Sequence, residues 1–124
     1  MIIYEVSLCI PRHRQTEFTG WLATHVQEIL RLEGFVAAQI VEPVTDAESR
    51  SDEGHLPPRA NEMSLVVLYW LRGQADLDHY VREHAPRMRA DGVGRFGSEL
   101  RSRRRVLTVT HEFTSALLGD KTRS

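Results

Sequence analysis

IIYEVSLCI, residues 2–10, is followed by PRHRQTEFTGWLATHVQEIL, residues 11–30, and the spacing of apolar residues changes between the two segments. In the first segment apolar residues alternate with others, including Glu5, as in a β-strand. In the second they recur at three- and four-residue steps from Phe18 to Leu30, which indicates an amphipathic helix. Gly34 is placed to end that helix, because glycine accepts the left-handed conformation common at helix ends. The segment therefore predicts a β-α unit.

Three more segments have the composition of strands. Residues 35–44 are apolar apart from Gln39 and Glu42, with Pro43 at a frayed end. Residues 63–71 are almost continuously apolar, which predicts a central strand buried on both faces. Residues 101–111 alternate again and predict a fourth strand.

A second helix is predicted between the third and fourth strands. Asp76 and Asp78 supply negative charge to its first turn, where the helix dipole favours it. Pro86 lies within the helical pattern, so it either kinks the helix or starts a second short one that runs toward Arg95.

The resulting order, β-α-β-β-α-β, predicts an α+β, ferredoxin-like fold: a four-stranded antiparallel sheet with two helices on one face. We expect one domain over residues 1–112, a polar loop insertion at about 45–62 and a polar C-terminal tail at 113–124. The other sheet face would be apolar and bare, which predicts a homodimer whose two sheets stack into a dimeric α/β barrel.

Composition favours an ordinary globular protein: of 124 residues, 41% are hydrophobic and 27% charged, and the formal net charge is −1. The longest apolar runs, 2–10 and 64–71, are short of the roughly 20 residues that a membrane helix needs, so no membrane partner is expected. The chain opens directly into a strand-like segment without a secretory signal, and Cys9 is its single cysteine. We therefore expect the cytoplasm.

A candidate site comes from the two helices. His25 lies in the apolar stripe of the first helix and His84 at the matching place of the second, with Trp21 and Tyr80 one turn earlier. If the odd-numbered face of the first strand looks at the helices, Glu5 joins them. These five residues would form a small-ligand pocket or an acid/base pair. The alternative is that both histidines are half-polar core residues without a function.

Other chemistry has weaker support in the sequence. The possible metal ligands lie on separate elements without a compact spacing, so neither a metal nor another cofactor is expected. Gly92 and Gly94 lack the preceding strand of a phosphate-binding loop, and Cys9 has no activating neighbour. Residues 82–105 hold eight arginines and three acids. This segment is an alternative binding surface for an acidic partner protein, whereas nucleic acid is not expected.

Four short motifs resemble a known family: IIYEV at 2–6, WLATHV at 21–26, HAPRMR at 84–89 and RFG at 95–97. Together they are similar to the family called domain of unknown function 4286, over residues 2 to about 110. The resemblance implies a ferredoxin-like, dimeric α/β-barrel fold and brings no activity with it. Glu5, Trp21, His25 and His84 match the family pattern, while the loop at 45–62 is longer than that pattern.

The wider superfamily that this resemblance implies contains enzymes and binding proteins that hold ligands between helices and sheet, among them quinone-forming monooxygenases. Two functions therefore stay open. One is a homodimeric protein that binds a small ligand, with at most cofactor-independent acid/base or monooxygenase-like chemistry. The other is a non-enzymatic interaction domain that uses the arginine-rich segment. The sequence does not decide whether the protein is an enzyme.

Overall fold

The computed structural model describes residues 1–44 and 56–116. Residues 45–55 of the predicted insertion and 117–124 of the predicted tail lie outside the described residues. In chain order the elements are β1 (Ile2–Pro11), α1 (Gln15–Ile29), β2 (Phe35–Val41), β3 (Glu62–Leu71), α2 (Gln74–Glu83), α3 (Ala85–Phe96) and β4 (Arg101–Thr108). Short 3-10 turns, Arg12–Arg14 and Gly97–Glu99, precede α1 and β4. Among the described helices, none is long and apolar enough to cross a membrane.

The strands form an antiparallel sheet in the order β2-β3-β1-β4. This is the ferredoxin-like arrangement, so the predicted fold class is confirmed. The continuously apolar strand β3 lies between β2 and β1, which confirms its predicted inner position. The odd-numbered side chains of β3 are buried beneath the helices, whereas most of its even-numbered ones are only half-buried, so the predicted burial on both faces is not reached within the described residues of the single chain.

The two faces of the sheet are assigned by the register. Tyr4 pairs with Tyr69 on β3, whereas Glu5 pairs with Leu68 on β3 and Arg105 on β4. Directly paired residues of antiparallel strands project from the same face. The even-numbered residues of β1 lie beneath the helices, in the core. The opposite side, called the open face below, carries the odd-numbered residues of β1 and their partners: Ile3, Glu5, Leu68, Trp70, Arg105 and Leu107.

Helix α1 packs on the sheet through one stripe. Phe18, Leu22, Val26 and Ile29, spaced by four, four and three residues, are its buried side chains. Phe18 is 1% exposed and meets the ring of Phe96 edge-on at 5.3 Å between ring centroids. Burial of each such side chain contributes roughly 1.5–3 kcal/mol, so this stripe holds α1 against the sheet.

The second helical region is divided in two at His84. This residue has φ −125° and ψ −34°, and Pro86 follows in the first turn of α3. A proline is tolerated in a first helical turn because the amide hydrogen it lacks would have no partner there. Of the two possibilities that the sequence left open, the structure therefore adopts the second short helix.

Three boundaries differ from expectation. Strand β2 ends at Val41 instead of residue 44, since Pro43 removes a backbone donor on an edge strand. Strand β4 ends at Thr108 instead of residue 111, because its partner β1 begins at Ile2. Gly34 does not cap α1: it lies in the turn before β2 with φ 92°.

Candidate functional site

A cavity of about 200 Å³ lies between the helices and the even-numbered face of the sheet. Its floor comes from three strands: Tyr4, Val6, Leu8, Val67, Tyr69, Ser102 and Arg104. Its roof and rim come from the helices and from one residue before β4: Trp21, Leu22, His25, Ile29, Tyr80, Met88, Arg89, Gly92, Val93 and Leu100. Such a largely apolar cleft with a few convergent polar groups is typical of small-molecule sites.

Exposed side chains at one side of the cavity connect it to solvent: Arg89, Val93 and Arg104. The guanidinium of Arg89 donates a hydrogen bond to the Tyr4 hydroxyl at 3.1 Å, and that of Arg104 donates one to Ser102 Oγ at 3.1 Å. Among residues 1–44 and 56–116, neither arginine forms an ion pair with a carboxylate. The mouth of the cavity is therefore positively charged.

His25 contributes an unpartnered buried nitrogen to this site. Its ring stacks on Trp21 with 4.5 Å between ring centroids, and Trp21 Nε1 donates to Asp91 Oδ2 at 3.3 Å. The Nδ1 atom of His25 is buried without a hydrogen-bond partner, the one such side-chain atom in the described part of the chain. Burial lowers the pKa of His25, with Asp91 and Glu28 opposing the shift. The imidazole is therefore neutral near pH 7.

Gly92 allows Trp21 to lie close to α3. A Cβ atom at residue 92 would be 3.1 Å from the Trp21 ring and 3.3 Å from a Leu100 methyl group. A side chain at residue 92 would require the indole or Leu100 to move by a few tenths of an ångström, so Gly92 helps to fix the wall on which His25 stacks.

Three tyrosines lie close together in the wall of the cavity. Tyr4 is 6.1 Å from both Tyr69 and Tyr80, measured between ring centroids. Burial raises the pKa of Tyr80 to about 12 and that of Tyr69 further, in both cases helped by the neighbouring tyrosines. The phenols of Tyr69 and Tyr80 therefore stay protonated and keep their O–H donors.

The structure brings together three of the five residues singled out in the sequence. Trp21, His25 and Tyr80 line the cavity. Glu5 does not, because it is odd-numbered on β1 and so lies on the open face, where its carboxylate accepts two hydrogen bonds of 3.2 Å from Arg105. Glu5 would have joined the histidines only if the odd-numbered face of β1 looked at the helices, and it does not.

His84 is also absent from the cavity wall. It lies between α2 and α3, where the helical conformation is interrupted. The 3.6-residue periodicity that predicted an inward direction for its side chain therefore ends before residue 84. Its Nδ1 lies 3.2 Å from Arg87 Nη2, and since arginine only donates, this nitrogen is the acceptor. His84 and His25 therefore do not form an acid/base pair.

Sequence reasoning missed several lining residues, of which five are polar: Tyr4, Tyr69, Arg89, Ser102 and Arg104. Tyr4 had a visible signal, since it stands on the alternating apolar face of β1. Arg104 had none, because its direction depends on the register of β4 against β1, where it pairs with Val6. A shift of one residue would place it on the open face.

Two other kinds of site are not formed by the described residues. Cys9 is completely buried on the open face, where residue 56 covers it and accepts a 3.5 Å hydrogen bond from its sulfur. Burial raises the pKa of the thiol, which disfavours a nucleophilic role. In the described ranges no three histidine, cysteine or acidic side chains cluster as metal ligands would.

Half of the eight arginines at 82–105 form ion pairs within the described part of the chain, one of them Arg82 with Glu83. Arg95 is 3.5 Å from Glu17, Arg101 is 2.7 Å from Glu62, and Arg105 is 3.1 Å from Glu5. Arginines that already neutralise carboxylates attract an external polyanion less strongly. This argues against the segment as a binding surface for an acidic protein.

The family comparison agrees with the resemblance noted from the motifs. The profile of the family described as Domain of unknown function (DUF4286) matches residues 1–110. No curated protein matches the chain significantly.

Solved structures with the same fold have low sequence identity to the chain. A proposed antibiotic biosynthesis monooxygenase from Deinococcus radiodurans superposes with a TM-score of 0.63 at 8% identity, covering 93% of this chain and 98% of that one. Rv0793 from Mycobacterium tuberculosis gives 0.56 at 18% identity, with 92% and 100% covered. An EthD family protein from Bacillus halodurans gives 0.56 at 12% identity, with 89% and 100% covered. At these identities the likeness concerns the fold alone.

Proposed function

The chain belongs to the DUF4286 family, whose name carries no activity, and from the geometry of the cavity we propose that it is a homodimeric protein that binds a small ligand between helices and sheet. Trp21, His25 and Tyr80 are the ligand-binding residues in this proposal. Glu5 and His84, which lie outside the cavity, have no direct contact with the ligand in it.

The observation that carries the proposal is the unpartnered Nδ1 of His25. Buried polar atoms nearly always have a partner, and leaving one without costs about 1–3 kcal/mol. Nδ1 is enclosed, so a ligand in the cavity reaches it only when the imidazole turns about its Cβ–Cγ bond; that turn would give the atom the partner that the ligand-free fold lacks. A purely structural histidine would instead be satisfied within the fold.

The chemistry open to such a site is proton transfer. A neutral imidazole accepts a proton from a bound acidic O–H or C–H group, and the guanidinium of Arg104 would stabilise the anion that forms. Monooxygenase-like chemistry, as named for the Deinococcus protein, would start with the same deprotonation and would further require dioxygen as the oxidant. No metal or organic cofactor is part of the proposal.

The two tryptophans of the chain provide an internal control for ligand binding. Trp21 lines the cavity, whereas Trp70 lies on the open face. Titration of 15N-labelled protein with phenol, benzoate, indole and cyclohexanol should shift the indole N–H signal of Trp21 for at least one probe and leave that of Trp70 in place. If none of the four shifts the Trp21 signal, or if both signals move equally, the cavity is not a ligand site.

The homodimer is proposed to form through the open face, where Leu68, Trp70 and Leu107 are at most partly covered by the described chain. A second copy would remove this apolar surface from water. Leu68→Glu should convert a dimer to a monomer in analytical ultracentrifugation at micromolar concentration. The matched control is Val81→Glu, an equal change at an exposed site on α2. A monomeric wild-type protein would contradict the dimer.

Location and partner class complete the proposal. The single thiol of the chain is compatible with a reducing compartment, and the cytoplasm is the proposed location. The acidic-partner alternative keeps one simple test, because binding of heparin at low salt would support it and lack of binding would remove it.

A further inference from the structure

The two charged residues that line the cavity are both arginines, while the nearby carboxylate of Asp91 accepts a hydrogen bond from Trp21 outside the lining. Arg89 and Arg104 are both among its lining residues, and none of the lining residues is acidic. Two other arginines of β4 are neutralised by carboxylates: Arg101 by Glu62 and Arg105 by Glu5. Two cations without carboxylate partners at the rim of an apolar cleft raise the local concentration of anions. Guanidinium groups bind carboxylates with strong, directional hydrogen bonds.

The size of the cavity limits the ligand to one ring. An apolar protein cavity of about 150 Å³ holds a benzene molecule, and the volume here is about 200 Å³. The difference leaves room for one or two small substituents. A fused two-ring system would extend through the mouth into solvent.

The walls favour an aromatic ring with a second polar substituent. Trp21, Tyr4 and Tyr80 present ring faces and edges, which pair well with another aromatic ring. Once the imidazole turns toward the cavity, Nδ1 of His25 needs a hydrogen-bonding group, while the arginines already account for a carboxylate. A hydroxyl group meets this need whichever nitrogen of the imidazole carries the proton, since it both donates and accepts.

We infer that the cavity takes a hydroxy-substituted aromatic carboxylate of one ring, with the carboxylate at Arg89 and Arg104 and the hydroxyl group toward His25. This inference rests on the proposed ligand-binding function and names the class of ligand. It also explains why the arginines of β4 alternate in role: Arg104 faces the cavity, while Arg103 and Arg105 pair with odd-numbered residues of β1 on the open face.

The test compares two probes of similar size, one with a charged carboxylate and one with a neutral hydroxymethyl group. Binding of 4-hydroxybenzoate and of 4-hydroxybenzyl alcohol is measured by calorimetry, with the Trp21 indole signal as the reporter of place. The acid should bind about tenfold more tightly or better, since it gains charge-assisted hydrogen bonds that the alcohol lacks. Benzoate, which lacks the hydroxyl group, should bind more weakly than 4-hydroxybenzoate.

Matched variants locate the effect. Arg104→Gln and Arg89→Gln should each weaken 4-hydroxybenzoate binding by about tenfold and leave the affinity for the alcohol nearly unchanged. Arg103→Gln removes the same charge one residue away on the open face and should have no effect. All three arginines are exposed, so the variants should fold.

A second pair of variants adds charge instead of removing it. Val93→Glu places a carboxylate at the mouth and should weaken binding of the acid, whereas Val81→Glu, on an exposed part of α2, should not. Equal affinities for the acid and the alcohol, or equal effects of Arg104→Gln and Arg103→Gln on affinity, would overturn the inferred ligand class. A shift of the Trp21 signal in the same experiments would still support the cavity as a binding site. If neither probe moved the Trp21 signal, this inference would be overturned, and failure of the whole four-probe panel would also remove the proposed function.

Discussion

Replacement of His25 by phenylalanine should stabilise the ligand-free protein. The new ring keeps the stacking on Trp21, which in the wild type has 4.5 Å between the ring centroids of Trp21 and His25. The substitution also removes a buried nitrogen that has no partner. An unsatisfied buried polar atom costs about 1–3 kcal/mol, and part of this is lost again because phenylalanine is larger. We expect a net gain of about 1 kcal/mol in the free energy of unfolding, or about 3–5 °C in Tm for a chain of this size.

The gain should depend on pH. Burial lowers the pKa of His25, with Asp91 and Glu28 opposing the shift and Arg104 adding to it. Below the unfolded pKa of about 6.5 the unfolded chain binds a proton that the folded chain resists, so the wild type loses stability as the pH falls. The advantage of His25→Phe should therefore be larger at pH 5.5 than at pH 7.5.

Urea unfolding at both pH values measures this effect. The control is His84→Phe, which removes a nitrogen that Arg87 does satisfy and should destabilise the protein. A destabilised His25→Phe variant with an unchanged dependence on urea would show that Nδ1 is satisfied in the folded state. That result would refute the reasoning and remove the main support for the cavity as a binding site.

Three further predictions concern stability and reactivity. Arg101 holds the pKa of Glu62 at about 2, below its ordinary value of 4.5. Glu62→Gln should therefore lower the urea midpoint at pH 6. The difference in urea midpoint between this variant and the wild type should vanish as the pH approaches 2. Gly34→Ala should cost about 1–3 kcal/mol in thermal unfolding because residue 34 has φ 92°, whereas Gly20→Ala, within α1 and free of neighbours, should stabilise. Cys9 is 0% exposed, so a thiol reagent should modify it only as fast as the chain opens; rapid modification would contradict its burial.

The fold followed from local patterns that are strong in this chain. A period of two in β1 and steps of three and four in α1 require specific faces to be buried, and those faces are buried. The candidate site was only partly predictable. Trp21, His25 and Tyr80 lie on helical stripes and so could be placed over the sheet. Whether odd or even residues of β1 face the helices depends on packing.

The error about Glu5 and the omission of Arg104 have the same physical origin. Side chains on a strand alternate between faces, so a wrong choice of face moves every residue of that strand to the other side. The conjecture that β1 turned its odd face to the helices gave the cavity a carboxylate. With the even face inward, the cavity instead contains Tyr4 and, through the register of β4, Arg104. The charged part of the site thus changes from one carboxylate to two arginines, Arg89 and Arg104.

The same alternation separates the two proposed functions of the sheet. Because neighbouring residues of a strand point to opposite faces, Arg104 belongs to the cavity and Arg103 to the open face, although they are adjacent in sequence. The proposed ligand site and the proposed dimer interface therefore draw on different side chains of one sheet. Leu68→Glu should abolish the dimer without weakening 4-hydroxybenzoate binding, and Arg104→Gln should do the reverse. If either substitution impaired both properties, the two faces would be coupled through the sheet, and the cavity would have to be treated as a site of the dimer instead of the single chain.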